Sequence, residues 1–372
     1  MQRPVDLVYE PDLMRPPREV LISFAKQFGI DPGLSMGTIV SEIWKSVSQS
    51  RDYTVLEPLL PYAFAGSTSI KWYRPKKGYS IPDVEEALED KIVFHRGANV
   101  ELDNLDFEPT ITGAAPWYER EVAIRLIVKT RETRVVRGLN LVPRVATAVC
   151  TAIVDRDANL IEIRGDKGAA TAVADHLATL FRIPTVEMRP VLLGRFSDAI
   201  DDLADALGGR VAGMSSKPEL ELERMDAEEA RAIVSILSAI TNYFDGGDVA
   251  ELQAALDEAH ATLSNPHKNY ASIPFEAVVL AGLTKLALNT GDDIRDLPFY
   301  GAIEPYVRHQ GSRIVFDRDG QKHSITVGFT TNAVFFRTKA DESTIRFVRS
   351  TMLSLLSELQ PEEWDLDVWE AQ

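Results

Sequence analysis

Charged residues that could bind a ligand concentrate between residues 119 and 144, where seven basic side chains stand against three acidic ones. The basic residues are Arg120, Arg125, Lys129, Arg131, Arg134, Arg137 and Arg144. Arg131, Arg134 and Arg137 lie in and after a predicted connection between strands, where cations can reach phosphate groups without entering a core. The cluster therefore predicts a phosphate-binding surface. The alternative is that these cations pair with acidic helices of residues 195–263, within the molecule or across a dimer.

A second basic segment, residues 69–79, alternates cations with aromatic rings. Its candidate ligand-binding residues are Lys71, Trp72, Tyr73, Arg74, Lys76 and Lys77. Aromatic rings that stack on bases, beside cations that neutralise phosphates, are typical of proteins that bind single-stranded nucleic acid. The alternative is a hairpin whose aromatic side chains point into the core and whose lysines face solvent.

The sequence contains no motif that predicts a metal centre, a nucleotide cofactor or a catalytic residue. The six histidines form no HExxH pair and there is no CxxC, which argues against zinc. Residues 155–166 begin like a calcium loop, but Leu160 stands where the loop needs glycine and Asp166 where it needs glutamate. A GxxxxGK[ST] phosphate loop and a GxSxG nucleophile are also absent. We therefore expect a protein without metal or cofactor that is not an enzyme.

The composition, with 45% hydrophobic and 26% charged residues, is that of a globular protein. No apolar run reaches the roughly 18 to 20 residues that span a bilayer, and the N-terminus shows no secretory signal. The single cysteine, Cys150, excludes an internal disulfide and fits a reducing compartment, cytoplasmic or nuclear. We expect Cys150 to be a small core residue.

The net charge of −16 is unevenly distributed along the chain. Residues 195–263 contain fifteen acidic and five basic residues, and six further acidic residues follow Arg349 with no basic residue among them. These two blocks account for the whole negative excess, so the rest of the chain is neutral. The basic cluster is therefore separated in the sequence from most of the acidic residues.

Two parts of the chain share one order of elements, strands followed by a helix. Strands are predicted from β-branched or alternating composition, and helices from a one-sided apolar pattern. The first part has strands at 121–129, 147–154 and 160–164 and a helix that ends near residue 181; the second has strands at 313–316, 324–329 and 333–338 and a helix at 343–359. Each part contains an Asp-Arg-Asp hairpin and a strand that ends in arginine, Arg164 or Arg337. Duplication of a sheet-and-helix unit and convergence on a common hairpin both explain this similarity.

The other segments are predicted to be mainly helical, so we expect an α+β fold: a small N-terminal helical module, then an antiparallel sheet with helices on one face. Helices are predicted at residues 17–28, 36–47, 226–244, 249–263 and 274–288, and an exposed strand at 219–223. The predicted organisation is an N-terminal helical module (1–66), a strand-containing connector (67–118), a first sheet-helix unit (119–194), an acidic helical segment (195–300) and a second sheet-helix unit with an acidic tail (301–372).

The start of the N-terminal module has a distinctive order of residues. Arg15-Pro16-Pro17-Arg18-Glu19-Val20-Leu21 is followed by Phe24, by Ile39 and by the pair Ile43-Trp44. These residues resemble the opening helices of the centromere protein N family, in which leucine-rich segments precede a helix that ends in tryptophan. The resemblance implies a non-enzymatic adaptor that binds DNA or nucleoprotein together with a partner subunit.

Three functional hypotheses remain, of which the third is an enzyme with an unfamiliar motif. In the first, the chain is an adaptor that binds nucleic acid or nucleoprotein through its basic strands and loops. In the second, it is an assembly subunit whose basic strands dock on acidic helices of another copy or of a partner protein. We expect a protein partner or a homo-oligomer in either case, and no membrane association.

Overall fold

The computed structural model describes residues 1–89, 108–118, 120–137, 140–165, 168–218 and 307–359, together with scattered positions between 231 and 258. Within these ranges the helices are α1 Arg18–Ala25, α2 Met36–Ser50, α3 Leu60–Ala63, α4 Val84–Leu88, α5 Ala169–Leu180, α6 Ile200–Ala206 and α7 Glu342–Leu359. The strands are β1 Ser69–Pro75, β2 Thr110–Pro116, β3 Glu121–Arg137, β4 Asn140–Asp155, β5 Leu160–Gly165, β6 Met188–Pro190, β7 Gly209–Pro218, β8 Val307–Arg318, β9 Gln321–Gly328 and β10 Ala333–Phe336. Short 3-10 turns lie at Pro4–Leu7, Glu10–Met14, Lys26–Phe28, Tyr53–Leu59, Thr185–Glu187 and Leu193–Ser197.

The chain divides into two compact units. The first comprises Met1–Arg195, Ala206–Gly208 and Phe316–Gln372, and the second comprises Phe196–Asp205 and Gly209–Val315. In the second unit β7 and β8 are neighbouring strands. The predicted helices at 226–244, 249–263 and 274–288 and the predicted strand at 219–223 lie outside the described residues, apart from the scattered positions. The predicted α+β class, with an N-terminal helical module and an antiparallel sheet, is confirmed.

Strand β1 lies in the middle of the sheet of the first unit. The order is β2-β3-β4-β5-β1-β10-β9, and neighbouring strands are antiparallel. Ile70 of β1 pairs with Arg164 on one side and with Val334 on the other. The short strand β6 also pairs with β1, at its C-terminal end, through Tyr73 and Pro190.

One face of this sheet is apolar and packs against α5. Because side chains alternate between faces along a strand, Ile161 and Ile163 of β5 share this face, and Ile124 and Leu126 of β3 join the same buried cluster. Val173, Ala174 and Leu177 of α5 lie in that cluster, so the predicted apolar stripe of the helix is the one that covers the sheet.

The opposite face carries the N-terminal module and α7. Ala123 of β3 and Ile153 of β4 share a buried cluster with Leu21 of α1 and Ile43 of α2. Ile163 of β5 points toward α5, so its neighbour Arg164 points to the opposite face. Glu342, the first residue of α7, binds Arg164, so α7 reaches that opposite face. Helices therefore cover both faces of the sheet, whereas the sequence predicted helices on one face only.

The β4-β5-α5 and β9-β10-α7 segments are arranged alike on the two sides of β1. Asn159 and Asn332 each precede the second strand with a positive φ, 49° and 48°. The oxygen of each asparagine accepts a backbone N–H bond from another segment at 2.9 Å, from Ile81 and Leu193 respectively. Arg164 and Arg337 follow at the same spacing, and each helix begins five residues later. The strand order β4-β5-β1-β10-β9 places the two segments on opposite sides of β1, and their helices lie on opposite faces of the sheet.

Candidate nucleic-acid interface and the buried ion-pair network

Trp72 and Tyr73, the predicted stacking residues, lie in the interior of the first unit. Trp72 is 1% exposed and its Nε1 donates to Glu162 Oε2 at 2.8 Å. Tyr73 packs in the apolar cluster under α5, with its hydroxyl 3.3 Å from Thr171 Oγ1. Both faces of β1 are covered, so neither ring can reach a base. The prediction that these two residues belong to a nucleic-acid site is therefore corrected: both are buried core residues.

The basic residues of the same segment lie around the end of β1. Lys71, Arg74 and Lys76 are half-buried and Lys77 is exposed. Burial, opposed by the charge of Asp155, lowers the pKa of Arg74 to about 10. Lys71, Arg74 and Lys77 each interact with other groups of the protein, so this segment does not form a surface of unengaged cations.

Arg125 is also a structural residue, in contrast to its predicted role as a phosphate ligand. Its side chain is 0% exposed, and its Nη2 donates to both Asp12 oxygens at 2.8 and 2.7 Å. Its Nη1 donates to Thr151 Oγ1, and the guanidinium lies 4.9 Å from the centroid of the Phe64 ring. The position faces the N-terminal module because β3 alternates, with Ile124 and Leu126 toward α5.

Arg164 occupies the centre of a second set of buried charges on the same face. Its Nε donates to Glu162 Oε1 at 2.6 Å and its Nη2 to Glu342 Oε1 at 2.8 Å. Its Nη1 donates to the Phe64 carbonyl at 3.0 Å and to the other Glu342 oxygen. Trp117 adds an Nε1 bond to Glu342 at 3.4 Å. Strand β5, the end of α3 and the start of α7 are therefore connected by one guanidinium.

Two arginines of α7 extend this network to β3. Arg346 and Arg349 donate to the two oxygens of Glu121, and Arg349 Nη1 lies 3.7 Å from Glu162 Oε2. Burial opposes ionisation of Glu162, but the charges of Arg164 and Arg349 and the bonds from Trp72 and Arg164 outweigh it, so its pKa is lowered. The carboxylates of this network are buried and bonded to cations, an arrangement that stabilises the fold and leaves none of them open to a substrate.

Arg125 and Arg164 stood out in the sequence, but their pairing with Asp12, Glu162 and Glu342 was not predicted, nor was the pairing of Arg346 and Arg349 with Glu121. A local signal exists for Glu162. Residues 160–165 have the composition of a strand, in which Ile161 and Ile163 alternate with the charged pair Glu162 and Arg164. Charged residues at such inward positions indicate a strand covered on both faces, where buried charges must be paired. The partner Glu342 is 178 positions from Arg164, beyond the reach of a local pattern.

The other basic residues lie on a two-stranded ribbon, which we define as residues 129–137 of β3 and 140–147 of β4. Strand β2 pairs with β3 only as far as Ile127, and β5 pairs with β4 only from Thr151 onward. Beyond these limits, β3 and β4 pair with each other through eight cross-strand pairs, from Lys129↔Thr147 to Arg137↔Asn140. In the described part of the chain neither strand of the ribbon has a second neighbour, so the ribbon extends beyond the adjoining strands.

Five basic residues and one acidic residue, Glu132, lie on this ribbon. The basic residues are Lys129, Arg131, Arg134, Arg137 and Arg144. A register shift lies between Lys129 and Arg131. Beyond it, the alternation of β residues assigns Arg131, Arg137 and Arg144 to register positions of one face and Arg134 to the other. The structure thus brings five of the predicted phosphate ligands together and separates Arg125 from them.

None of the helices in the described ranges combines the length and the apolar character needed to cross a membrane. Among the same residues, no group of three or more histidine, cysteine, aspartate or glutamate side chains is arranged to hold a metal ion.

Comparison with protein-family models, with curated proteins and with solved structures finds no match to this chain. The resemblance of residues 15–44 to the centromere protein N family stays a prediction.

Proposed function

We propose that this protein is a non-enzymatic adaptor that binds nucleic acid through the ribbon. The observation that supports the proposal most is the projection of two paired strands, with five basic residues against one acidic residue, beyond the limits of β2 and β5. Arginine and lysine on such an element can bind phosphates of a backbone while the sheet behind it stays closed. The buried carboxylates of the network are all paired, so we assign no catalytic role to them.

The net charge of −16 is compatible with this proposal because its sign is not uniform. The acidic excess comes from residues 195–263 and from the residues after Arg349, whereas the ribbon carries a net charge of +4. Acidic surfaces elsewhere repel a polyanion, so binding would be confined to the ribbon. A basic ribbon on an otherwise acidic protein therefore favours one defined contact with nucleic acid over nonspecific binding.

The proposal is tested by fluorescence anisotropy with labelled oligonucleotides between about 50 and 200 mM salt. Each bound phosphate releases counterions, so affinity is expected to fall steeply over this range. Replacing the ribbon arginines by alanine, in the variant R131A/R134A/R137A/R144A, is expected to weaken binding. The slope of log K against log salt is expected to fall by about one for each phosphate that the variant no longer neutralises.

A matched control removes four exposed cations outside the ribbon, at Lys26, Lys45, Arg156 and Lys322. It changes the net charge by the same amount, and we expect affinity close to wild type. Equal weakening in both variants, or binding that does not respond to salt, would overturn the proposal. Circular dichroism of both variants must match that of the wild type.

A second candidate function is self-assembly through the ribbon. The supporting observation is that, among the described residues, each ribbon strand has an open edge, and open edges can pair with strands of another chain. Charge reversal, R131E/R134E/R137E, is then expected to dissociate an oligomer in light scattering while leaving the circular dichroism spectrum unchanged. A wild-type protein that is monomeric at high concentration would contradict this candidate.

A further inference from the structure

We infer that the ligand of the ribbon is duplex DNA bound in its major groove. This inference rests on the proposed nucleic-acid function and adds the class of ligand to it. Three properties carry the inference: the absence of aromatic residues from the ribbon sequence, the width and length of the paired strands, and the apolar residues at the far end of the ribbon.

Recognition of single strands depends on aromatic rings, which stack on unpaired bases and contribute about 1–3 kcal/mol per base. Residues 129–147 contain no phenylalanine, tyrosine, tryptophan or histidine. The two predicted stacking residues, Trp72 and Tyr73, are buried on opposite faces of the sheet. A single strand would therefore meet cations on the ribbon without any ring on which its bases could stack.

The dimensions of the ribbon agree with those of the major groove of B-form DNA. Two antiparallel strands lie about 4.8 Å apart, and eight paired positions span about 27 Å at roughly 3.4 Å per residue. A two-stranded ribbon fits the major groove of B-form DNA, about 12 Å wide, whereas the minor groove is about 6 Å wide. The major groove of duplex RNA is too deep and narrow for side chains to read. The geometry therefore favours DNA over RNA.

Residues at the far end of the ribbon supply the other half of major-groove chemistry. The last cross-strand pairs are Arg134↔Pro143, Val135↔Val142, Val136↔Leu141 and Arg137↔Asn140. Aliphatic side chains contact the thymine methyl group, which lies in the major groove, and arginine binds guanine or a phosphate. By the alternation of β residues, the pair Val135↔Val142 shares its face with Arg131, Arg137 and Arg144, so that face suits a groove whose floor has methyl groups and whose walls have phosphates.

The experiment compares four labelled probes of one sequence: duplex DNA, duplex RNA and each single DNA strand. A single strand that cannot stack its bases on a ring loses at least a factor of ten in affinity. We therefore expect duplex DNA to bind about tenfold tighter than either strand. Duplex RNA is expected to bind more weakly than duplex DNA. Methyl green, a major-groove ligand, is expected to displace the protein, and netropsin, a minor-groove ligand, is not.

The variant V135S/V142S provides a second measurement because it keeps every ribbon arginine and changes one face of the ribbon. It is expected to lose preference for thymine-rich duplexes while keeping the salt dependence of wild type. Ribbon-dependent binding that is equal or tighter on a single strand or on duplex RNA would overturn the inference and leave the proposed function intact. Displacement by netropsin but not methyl green would do the same. Failure of every probe to bind would overturn the proposed function itself.

Discussion

The Arg125 guanidinium donates from Nη2 to both carboxylate oxygens of Asp12, at 2.8 and 2.7 Å, and neither side chain reaches solvent. This pair joins the 3-10 turn Glu10–Met14 to β3 across 113 positions of sequence. The N-terminal module is therefore attached to the sheet by a buried ion pair as well as by apolar packing. Arg125 is therefore a structural residue, and the ribbon arginines form a separate set.

Replacing Asp12 by alanine is expected to destabilise the protein strongly. The substitution leaves the Arg125 charge buried without its partner, and breaking a buried pair in this way costs about 3–5 kcal/mol. The urea midpoint, followed by tryptophan fluorescence, should fall accordingly. The control is D157A, which breaks an exposed pair with Arg120, and its midpoint should stay near wild type. Similar small shifts in both variants would show that the buried pair does not hold the module.

Glu162 is expected to make the stability depend on pH in the acid range. Its pKa is lowered in the folded protein, chiefly because Arg164 and Arg349 outweigh the effect of burial. A lowered folded pKa gives stability that is complete above the unfolded value, near 4.5, and is lost as the pH falls through the folded pKa. The variant E162Q should therefore be less stable than wild type at neutral pH.

The stability difference between wild type and E162Q should shrink as the pH falls below about 4.5, since protonation removes the same charge from the wild type. Urea midpoints measured at several values from about pH 7 to pH 3 test this. The variant E89Q removes an exposed carboxylate and reports the general effect of one charge. A constant difference between wild type and E162Q across the range would contradict the assignment.

The sequence predicted elements well wherever one face of a strand or helix is apolar. Strand β5 and helix α5 carry such patterns, and the structure has them close to the predicted bounds. Strand β3 was predicted to end at residue 129 and ends at Arg137. The last part of it lies in the ribbon, where no core imposes an apolar alternation, so the pattern stops before the strand does.

The candidate site could be predicted only in part because burial is a tertiary property. Trp72 and Tyr73 are adjacent, so an exposed ring is expected on any strand with one solvent face. Tyr73 packs under α5, and Trp72 bonds to Glu162 on the face that α7 reaches. Elements so distant in sequence cannot be placed by local spacing. The prediction for the ribbon arginines rested on a polar connection between two strands, whereas Arg131, Arg134 and Arg137 lie in β3 itself. Their role as phosphate ligands stays a prediction.

Asn159 and Asn332 offer a test of the relationship between the two halves of the sheet. Each has a positive φ and accepts a backbone N–H bond, so alanine should cost about 1 kcal/mol for the bond and about 1 kcal/mol for the left-handed backbone. We expect both N159A and N332A to lower the free energy of unfolding, measured in urea, and N159A to lower it more, because alanine also removes the bond from Asn159 Nδ2 to the Tyr79 carbonyl.

Aspartate should distinguish the two asparagines. Aspartate keeps the acceptor oxygen and tolerates the left-handed region, so N332D should be mild. Asn159 also donates from Nδ2 to the Tyr79 carbonyl at 3.1 Å, a bond that aspartate cannot make, so N159D should cost more. Equal effects of the two aspartate variants would contradict this difference between the turns.

Gly165, at the end of β5, has no room for a side chain. Its φ is +151°, and a Cβ built there would lie 2.8 Å from Cys150 Sγ and 3.4 Å from Cys150 Cα. Alanine should therefore add overpacking, typically about 1–3 kcal/mol, to backbone strain of similar size. The variant G165A is expected to unfold at clearly lower urea concentration than wild type.

The cause of that destabilisation can be separated by a double-mutant cycle with C150A, which removes the sulfur atom nearest the new methyl group. The two substitutions should couple by about 1 kcal/mol or more, since residues in contact are not additive. Rescue should be incomplete because the Cys150 Cα and the backbone strain remain. The control is G29A: Gly29 has a φ of +68° and no atom within 4 Å of an added Cβ, so it measures backbone strain alone. Additive effects of G165A and C150A would show that the sulfur contact does not dictate glycine at this position.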